Sequence, residues 1–233
     1  MPELQTFADN IWTIDGPIAY DFGFAFTTRM TVVRLADRSL WVDSPVQVPF
    51  ETLKTIVDTG TVRYLLAATP RHFWRLEAWH TLFPAAEVWS SRNTPLRLAA
   101  GHLPMTGILT DTPNPGWADE IDQLVFKGNP FLDEVIFLHK PSHTVILGDL
   151  IQANPMMNGK HLRNALLRLS GGAHPNGGVG FDIRLTFTNR KLARQSLERL
   201  LSWDFDKLII AHGNCIRNDA KSYVERAFQW LVH

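Results

Sequence analysis

Three near-continuous apolar runs constrain this chain more than any other feature. Residues 62–68 (Val62-Arg63-Tyr64-Leu65-Leu66-Ala67-Ala68), Val145-Ile146-Leu147 and Leu208-Ile209-Ile210-Ala211 read as buried strands rather than as half-exposed, alternating ones. Strands of this kind suit the middle of a sheet covered on both faces, so the rest of the chain must supply the covering layers. The second run leads into Gly148-Asp149 and the third into His212-Gly213. Strand ends are where α/β folds collect chemistry, so Asp149 and His212 are the first candidate site residues.

The segments between these runs supply the cover. Ile11–Asp15 reads as a strand and residues 16–26 as a loop, and residues 30–35 and Ser39–Asp43 flank Ala36-Asp37-Arg38 as a hairpin. Residues 49–58 are expected to be helical, with Pro49 in the first turn and Gly60 just past the end. Further helices are expected at 74–83, 96–100, 158–169, 190–201 and 219–232. Further strands are expected at 86–89, 123–126, Glu134–His139 and 144–150. Residues 102–119 hold three prolines and two glycines and read as a long surface connection. No linker-like composition divides the chain, so residues 1–233 are read as one domain. The order of elements predicts an α/β (α+β) fold of two mixed sheets packed together, with helices outside.

Composition excludes several function classes. Lys+Arg and Asp+Glu both number 23, a net charge of +0, which gives no electrostatic case for nucleic acid, an anionic membrane or a polyanion. The single Cys215 excludes an intramolecular disulfide and a Cys-rich zinc site. No apolar run approaches the ~20 residues that span a bilayer, and the first residues lack a secretory signal pattern. The expectation is a cytoplasmic protein with a small-molecule ligand and neither a nucleic-acid nor a membrane partner. Oligomeric state stays open. The 8 Trp and 14 Phe residues imply a bulky core, with some left to line a pocket.

The order of elements, with Gly148-Asp149 and Ala211-His212-Gly213 in place, resembles the metallo-β-lactamase fold superfamily. More closely, it resembles a branch catalogued as a domain of unknown function in bacteria and plant plastids. The closer match rests on Thr28 to Leu35, Leu40-Trp41, Ser44-Pro45, His72, Glu77-Ala78-Trp79, Phe83-Pro84, Glu134 to His139, Ser142-His143-Thr144, Asp149 and His212-Gly213. The resemblance implies a four-layer αββα sandwich with its site along one edge. In active members a Thr-His-x-His-x-Asp-His loop, a later His, a Gly-Asp and a final His hold two metal ions. Here Thr69 matches the loop's threonine and His72 its second His, while Pro70, Trp74 and Arg75 stand where the first His, the Asp and the last His belong. Asn129 takes the place of the later His, and Asp149 and His212 match the bridging Asp and final His.

The resemblance therefore implies a degenerate centre holding at most one ion, with His72, Asp149 and His212 as ligands for zinc, iron or manganese. In that reading Asp149 and Arg75 act in hydrolysis, Arg75 orienting an anionic group, and the chain is not expected to be a β-lactamase. The alternative is a metal-free binding protein in which Arg75 pairs with Asp149. Trp74, Trp79 and Asn129 are the expected cleft contacts in either case. The Glu77/His80 pair, His102, His139, His143 and His174 read as surface or turn residues, and Cys215 as a small buried hydrophobe. Ser44 lacks a Gly-x-Ser-x-Gly setting and is not read as a nucleophile.

Overall fold

The structure is a computed structural model describing residues 2–21, 24–94, 103–156, 159 and 161–232. Its first sheet has seven strands in the order β1-β2-β5-β6-β7-β8-β9: β1 (Gln5–Ala8), β2 (Ile11–Asp15), β5 (Arg29–Arg34), β6 (Ser39–Asp43), β7 (Thr61–Ala67), β8 (Glu87–Ser90) and β9 (Gly107–Ile108). The second has four strands in order, β10 (Ile121–Phe126), β11 (Glu134–His139), β12 (Thr144–Ala153) and β13 (Lys207–Gly213). Both sheets are mixed: β6, β7, β8 and β9 pair in parallel, as do β12 and β13, and the other pairs are antiparallel. A separate hairpin joins β3 (Ala19–Asp21) and β4 (Phe24–Phe26).

The period-two alternation of the strands builds the layers. Val33, Trp41, Tyr64 and Leu66 from the first sheet meet Phe137, Ile146 and Ile209 from the second in the central core. Their neighbours Val32, Leu40, Val42 and Leu65 face the other way, against Ile56 of α1 (Phe50–Thr59) and Leu76 and Trp79 of α2 (Leu76–Leu82). On the far side, Leu124, Ile136, Leu147 and Leu208 pack against α5 (Arg190–Ser202) and α6 (Ala220–Ala227). The result is the αββα sandwich, and apart from exposed Arg63 the apolar runs are buried on both faces, as their lack of polar alternation requires. Between β12 and α5 lie α3 (His161–Ser170) and α4 (Phe181–Leu185), and α7 (Gln229–Val232) closes the chain. No helix among the described residues is long and apolar enough to cross a membrane.

Several boundaries differ from the sequence expectation. The loop at 16–26 contains the β3–β4 hairpin, the connection at 102–119 contributes β9, and β1 and α4 are too short to show a period. The last helix is interrupted at Phe228, whose buried ring stacks on Phe126 at 5.0 Å. The expected helix at 96–100 and His102 lie outside the described residues. Most important for the site, Asp149 is not at a strand end. β12 continues to Ala153, and its pairing with β13 is broken between Leu147 and Gln152.

Candidate metal centre

That break creates the site. Gly148, Asp149 and Leu150 leave the β12–β13 ladder, so their N–H groups need other acceptors. Buried Glu134, at the head of β11, provides them: Oε1 accepts from Gly148 N (2.6 Å) and Oε2 from Asp149 N and Leu150 N (both 2.9 Å). The bulge so held turns the Asp149 carboxylate towards the cleft. Gly148 is required beside it, because a Cβ there would lie 2.6 Å from Thr69 Cγ2 and 3.3 Å from the His72 ring. At the end of β13, Gly213 has φ +108° and would drive a Cβ into the Ala153 carbonyl at 2.0 Å. The glycines of the Gly-Asp and His-Gly pairs thus serve close approach and backbone conformation.

His72, Asp149 and His212 converge. His212 Nε2 lies 3.1 Å from Asp149 Oδ1, His72 Nε2 lies 3.5 Å from the same oxygen, and the two Nε2 atoms are 3.3 Å apart. Among the described residues this is the one group of three or more His, Cys, Asp or Glu side chains with donor atoms so gathered. The outer ring nitrogens settle the tautomers. His212 Nδ1 is 2.6 Å from the Thr27 carbonyl, which can only accept, so Nδ1 carries the proton. Ser44 Oγ donates to Asp43 Oδ2 (3.0 Å) and so accepts from His72 Nδ1 at 2.9 Å. Both Nε2 lone pairs then face a carboxylate oxygen, three acceptors with no donor among them. Only a cation, a metal ion or a proton, reconciles that arrangement.

The donor set fits a metal. Tetrahedral zinc with ligands at about 2.0–2.1 Å has ligand–ligand edges of about 3.3–3.4 Å, against 3.1, 3.3 and 3.5 Å here. Imidazoles whose second nitrogen is hydrogen-bonded to a carbonyl or an anchored hydroxyl are what metal-binding histidines need. Asp149 Oδ2 is buried with no protein partner. The charges agree: burial alone would raise the Asp149 pKa, but His72 first and then His212 hold its carboxyl well below the usual range. Burial opposes a charge on His72, yet Asp149 outweighs it and pushes the imidazole up to about 8. Asp43, buried behind Ser44, is raised by burial to about 6, and its Oδ1 accepts from Ala68 N at 3.1 Å.

The cleft over this group has a volume of about 700 Å³, and Arg71, Trp74, Arg75, Phe26, Ile18 and Ser44 are among the residues that line it. Trp74 is exposed and stacked on Phe73 at 4.8 Å, so it forms part of the rim. Arg75 also lines the cleft, but it does not pair with Asp149; its Nη2 donates to Gln47 Oε1 at 3.1 Å. The partners of Asp149 Oδ1 are instead the two histidines. Trp79 is not a cleft contact: it is buried between α2 and the first sheet and donates to the Val46 carbonyl at 2.9 Å. Asn129 is also outside the cleft. Its Oδ1 accepts from Phe131 N and Leu132 N and its Nδ2 donates to Thr186, so it fastens a loop beside a smaller cavity.

Other histidines keep structural roles. His143 has φ +53° in a turn and pairs with Asp204 at 3.0 Å, and His174 meets Asn214. His139 is buried more deeply than a turn residue, with Nδ1 on Ser142 Oγ at 2.7 Å, and burial lowers it to about 4. Cys215 is half-buried and its sulfur accepts from Arg29 Nη1 at 3.1 Å. Ser44, Asp43, Thr27 and Glu134 are the site residues that sequence reasoning misses. The available signals were an Asp-Ser-Pro at the end of β6 and a lone Glu heading an otherwise apolar strand.

The fold is that of the metallo-β-lactamases. A metallo-β-lactamase from Pontibacter korlensis superposes with a TM-score of 0.65 at 14% identity, covering 100% of both chains. A metallo-β-lactamase from Hirschia baltica gives 0.64 at 14%, covering 97% of this chain and 96% of that one. A flavo di-iron protein variant from Thermotoga maritima gives 0.65 at 12%, covering 99% of this chain and 62% of the other. The profile of the family described as Domain of unknown function (DUF4336) matches residues 8–161, and the chain belongs to that family. No curated protein matches the sequence.

Proposed function

We propose that this protein is a hydrolase working with a single metal ion, zinc, iron or manganese, held by His72, Asp149 and His212, and that its substrate is small and anionic. The observation that carries the reading is the meeting of three acceptor atoms at 3.1–3.5 Å with both imidazoles anchored through Nδ1. When bound, such an ion lowers the pKa of a water to about 7 and polarises a carbonyl or phosphoryl oxygen. The chain's own residues do the rest. Ser44 and Thr27 fix the two rings, Glu134 fixes the Asp149 backbone, and Arg71 and Arg75 receive the substrate's negative charge at the mouth. Trp74, Phe26 and Ile18 offer apolar surface to the remainder of the substrate and limit water.

A second reading has one observation in its favour. A proton on His72 Nε2, which lies 3.5 Å from Asp149 Oδ1 and 3.3 Å from His212 Nε2, would also reconcile the three acceptors, and the cleft would then receive an anion without catalysis. Elemental analysis of purified, untagged protein beside His72→Ala and Asp149→Ala separates the two. About one equivalent of metal, lost in both variants, supports the hydrolase and justifies a screen of esters, lactones and phosphodiesters. No metal as purified and none taken up on incubation overturns it.

A further inference from the structure

The outer face of α3 is built the wrong way round for a helix in water. Leu167 points into the core, but Leu162, Leu166 and Leu169, spaced i, i+4, i+7, are 76%, 39% and 81% exposed. Residues at that spacing form one stripe on a helix. Next to α3, α4 exposes Phe181 and Leu185, again one turn apart, and Phe131 is exposed beside the small cavity that Asp182 and Ile183 of α4 help to line. Apolar residues exposed singly are ordinary on a protein surface, but a stripe continued onto a neighbouring helix is not.

The charge distribution points to what covers it. Between Lys160 and Arg194 basic residues outnumber acidic ones seven to one, with Asp182 the single acid. Because the whole chain has 23 of each sign, the rest of it is acidic. The balanced total that spoke against an anionic partner therefore conceals one basic region, and that region carries the exposed leucines. Arg168 on α3 and Arg190 and Lys191 at the start of α5 are exposed.

We propose that α3 and α4 form a peripheral docking surface for an anionic lipid bilayer. Leu162, Leu166 and Leu169 enter the acyl boundary, and the exposed Arg168, Arg190 and Lys191 meet anionic headgroups; this pairing of an apolar stripe with basic flanks is what interfacial helices use. A second copy of the chain is a poor occupant, because pairing this face with itself sets seven-to-one basic segments against each other. The surface also adjoins the site. Arg71 lines both the main cleft and the small cavity under α4, so docking would bring the cleft to the headgroup level. The inference is independent of whether the cleft holds a metal.

The test is flotation of the full chain with vesicles of phosphatidylcholine containing phosphatidylglycerol, beside vesicles of phosphatidylcholine alone. The expected result is recovery with the anionic vesicles only, weakened by salt, and at least tenfold weaker for Leu162→Gln/Leu169→Gln. Those positions are exposed, so the double variant should melt like the parent; Arg168→Glu, which leaves the apolar stripe intact, gives a second and independent loss. No recovery with anionic vesicles overturns the proposal. So does recovery that the double variant leaves unchanged. Loss of a dimer in the double variant, with no vesicle binding by the parent, assigns the face to a second copy instead and equally overturns it.

Discussion

Removing the Ser44 hydroxyl should loosen the metal centre without touching a ligand. Ser44 Oγ links His72 Nδ1 (2.9 Å) to Asp43 Oδ2 (3.0 Å), and the residue is buried. In Ser44→Ala, the His72 N–H loses its acceptor and Asp43 keeps its bond from Ala68 N. Loss of a partner of this kind typically costs 10–100-fold in metal affinity, about 1.4–2.7 kcal/mol. The unpaired N–H and carboxylate oxygen should each cost about 1–3 kcal/mol of fold stability, before any relaxation by entering water. Ser44 also has φ +56°, where a Cβ is strained. Ala keeps that strain, whereas Gly removes about 1 kcal/mol of it. The two variants therefore separate the effects. Ser44→Gly should melt above Ser44→Ala, yet both should bind zinc equally weakly in competition with a chromophoric chelator. Parental zinc affinity in Ser44→Ala would refute the anchoring role, and recovery of affinity in Ser44→Gly would show that strain, not the hydroxyl, sets it.

Three further outcomes follow from the same geometry. Zinc must displace a proton from a His72 that Asp149 raises to about 8, so apparent zinc affinity should climb up to about pH 8 and flatten above it; in the metal-free protein the same raised pKa adds stability that is full below the unfolded value near 6.5 and lost as pH rises through about 8, readable by thermal melts. Glu134→Gln exchanges one acceptor oxygen for a donor facing backbone N–H groups and should cost about 2–4 kcal/mol in urea unfolding, with a parallel loss of zinc affinity because Asp149 is released. Arg75→Ala should keep full metal content, since Arg75 bonds Gln47 and no candidate ligand, while raising KM for an anionic ester and not for a neutral one.

What could be read from the sequence follows from the range of the forces involved. Runs buried on both faces, such as 64–68 and 208–211, announce themselves because a strand with one wet face would alternate and these do not. The candidate ligands Asp149 and His212 were legible because each lies beside such a run, and His72 because it matches a ligand position of the resembled fold. The supporting shell was not: Ser44 is 28 residues from His72, and Thr27 is 185 from His212, so only the folded chain joins them. Trp79 and Asn129 illustrate the converse. Trp79 follows the loop that holds His72, and Asn129 stands at a ligand position of the resembled fold, but Trp79 has a core to fill and Asn129 a loop to cap. Total charge is blind in a similar way, since a sum of +0 carries no information about a basic stretch from Lys160 to Arg194.

The same electrostatics would favour one ion over two in this cleft. Three donor groups converge, and only Asp149 among them carries a negative charge. Arg71 and Arg75 line the same cavity, with Trp74 between the metal-loop positions and solvent. A single dication against one carboxylate leaves the centre at about +1, which an anionic substrate neutralises and the guanidiniums help to attract. A second dication would raise the centre to about +3 beside two fixed cations; even at an effective dielectric of ~20, a unit charge pair at 4 Å interacts by about 4 kcal/mol. Zinc titration should therefore saturate at one equivalent per chain. Replacing Arg75 with His should not restore a second equivalent, because Pro70, Trp74 and Asn129 still supply no donor to it. A stable second equivalent in the parent would overturn this account of how the substituted loop positions and the retained ligands fit together.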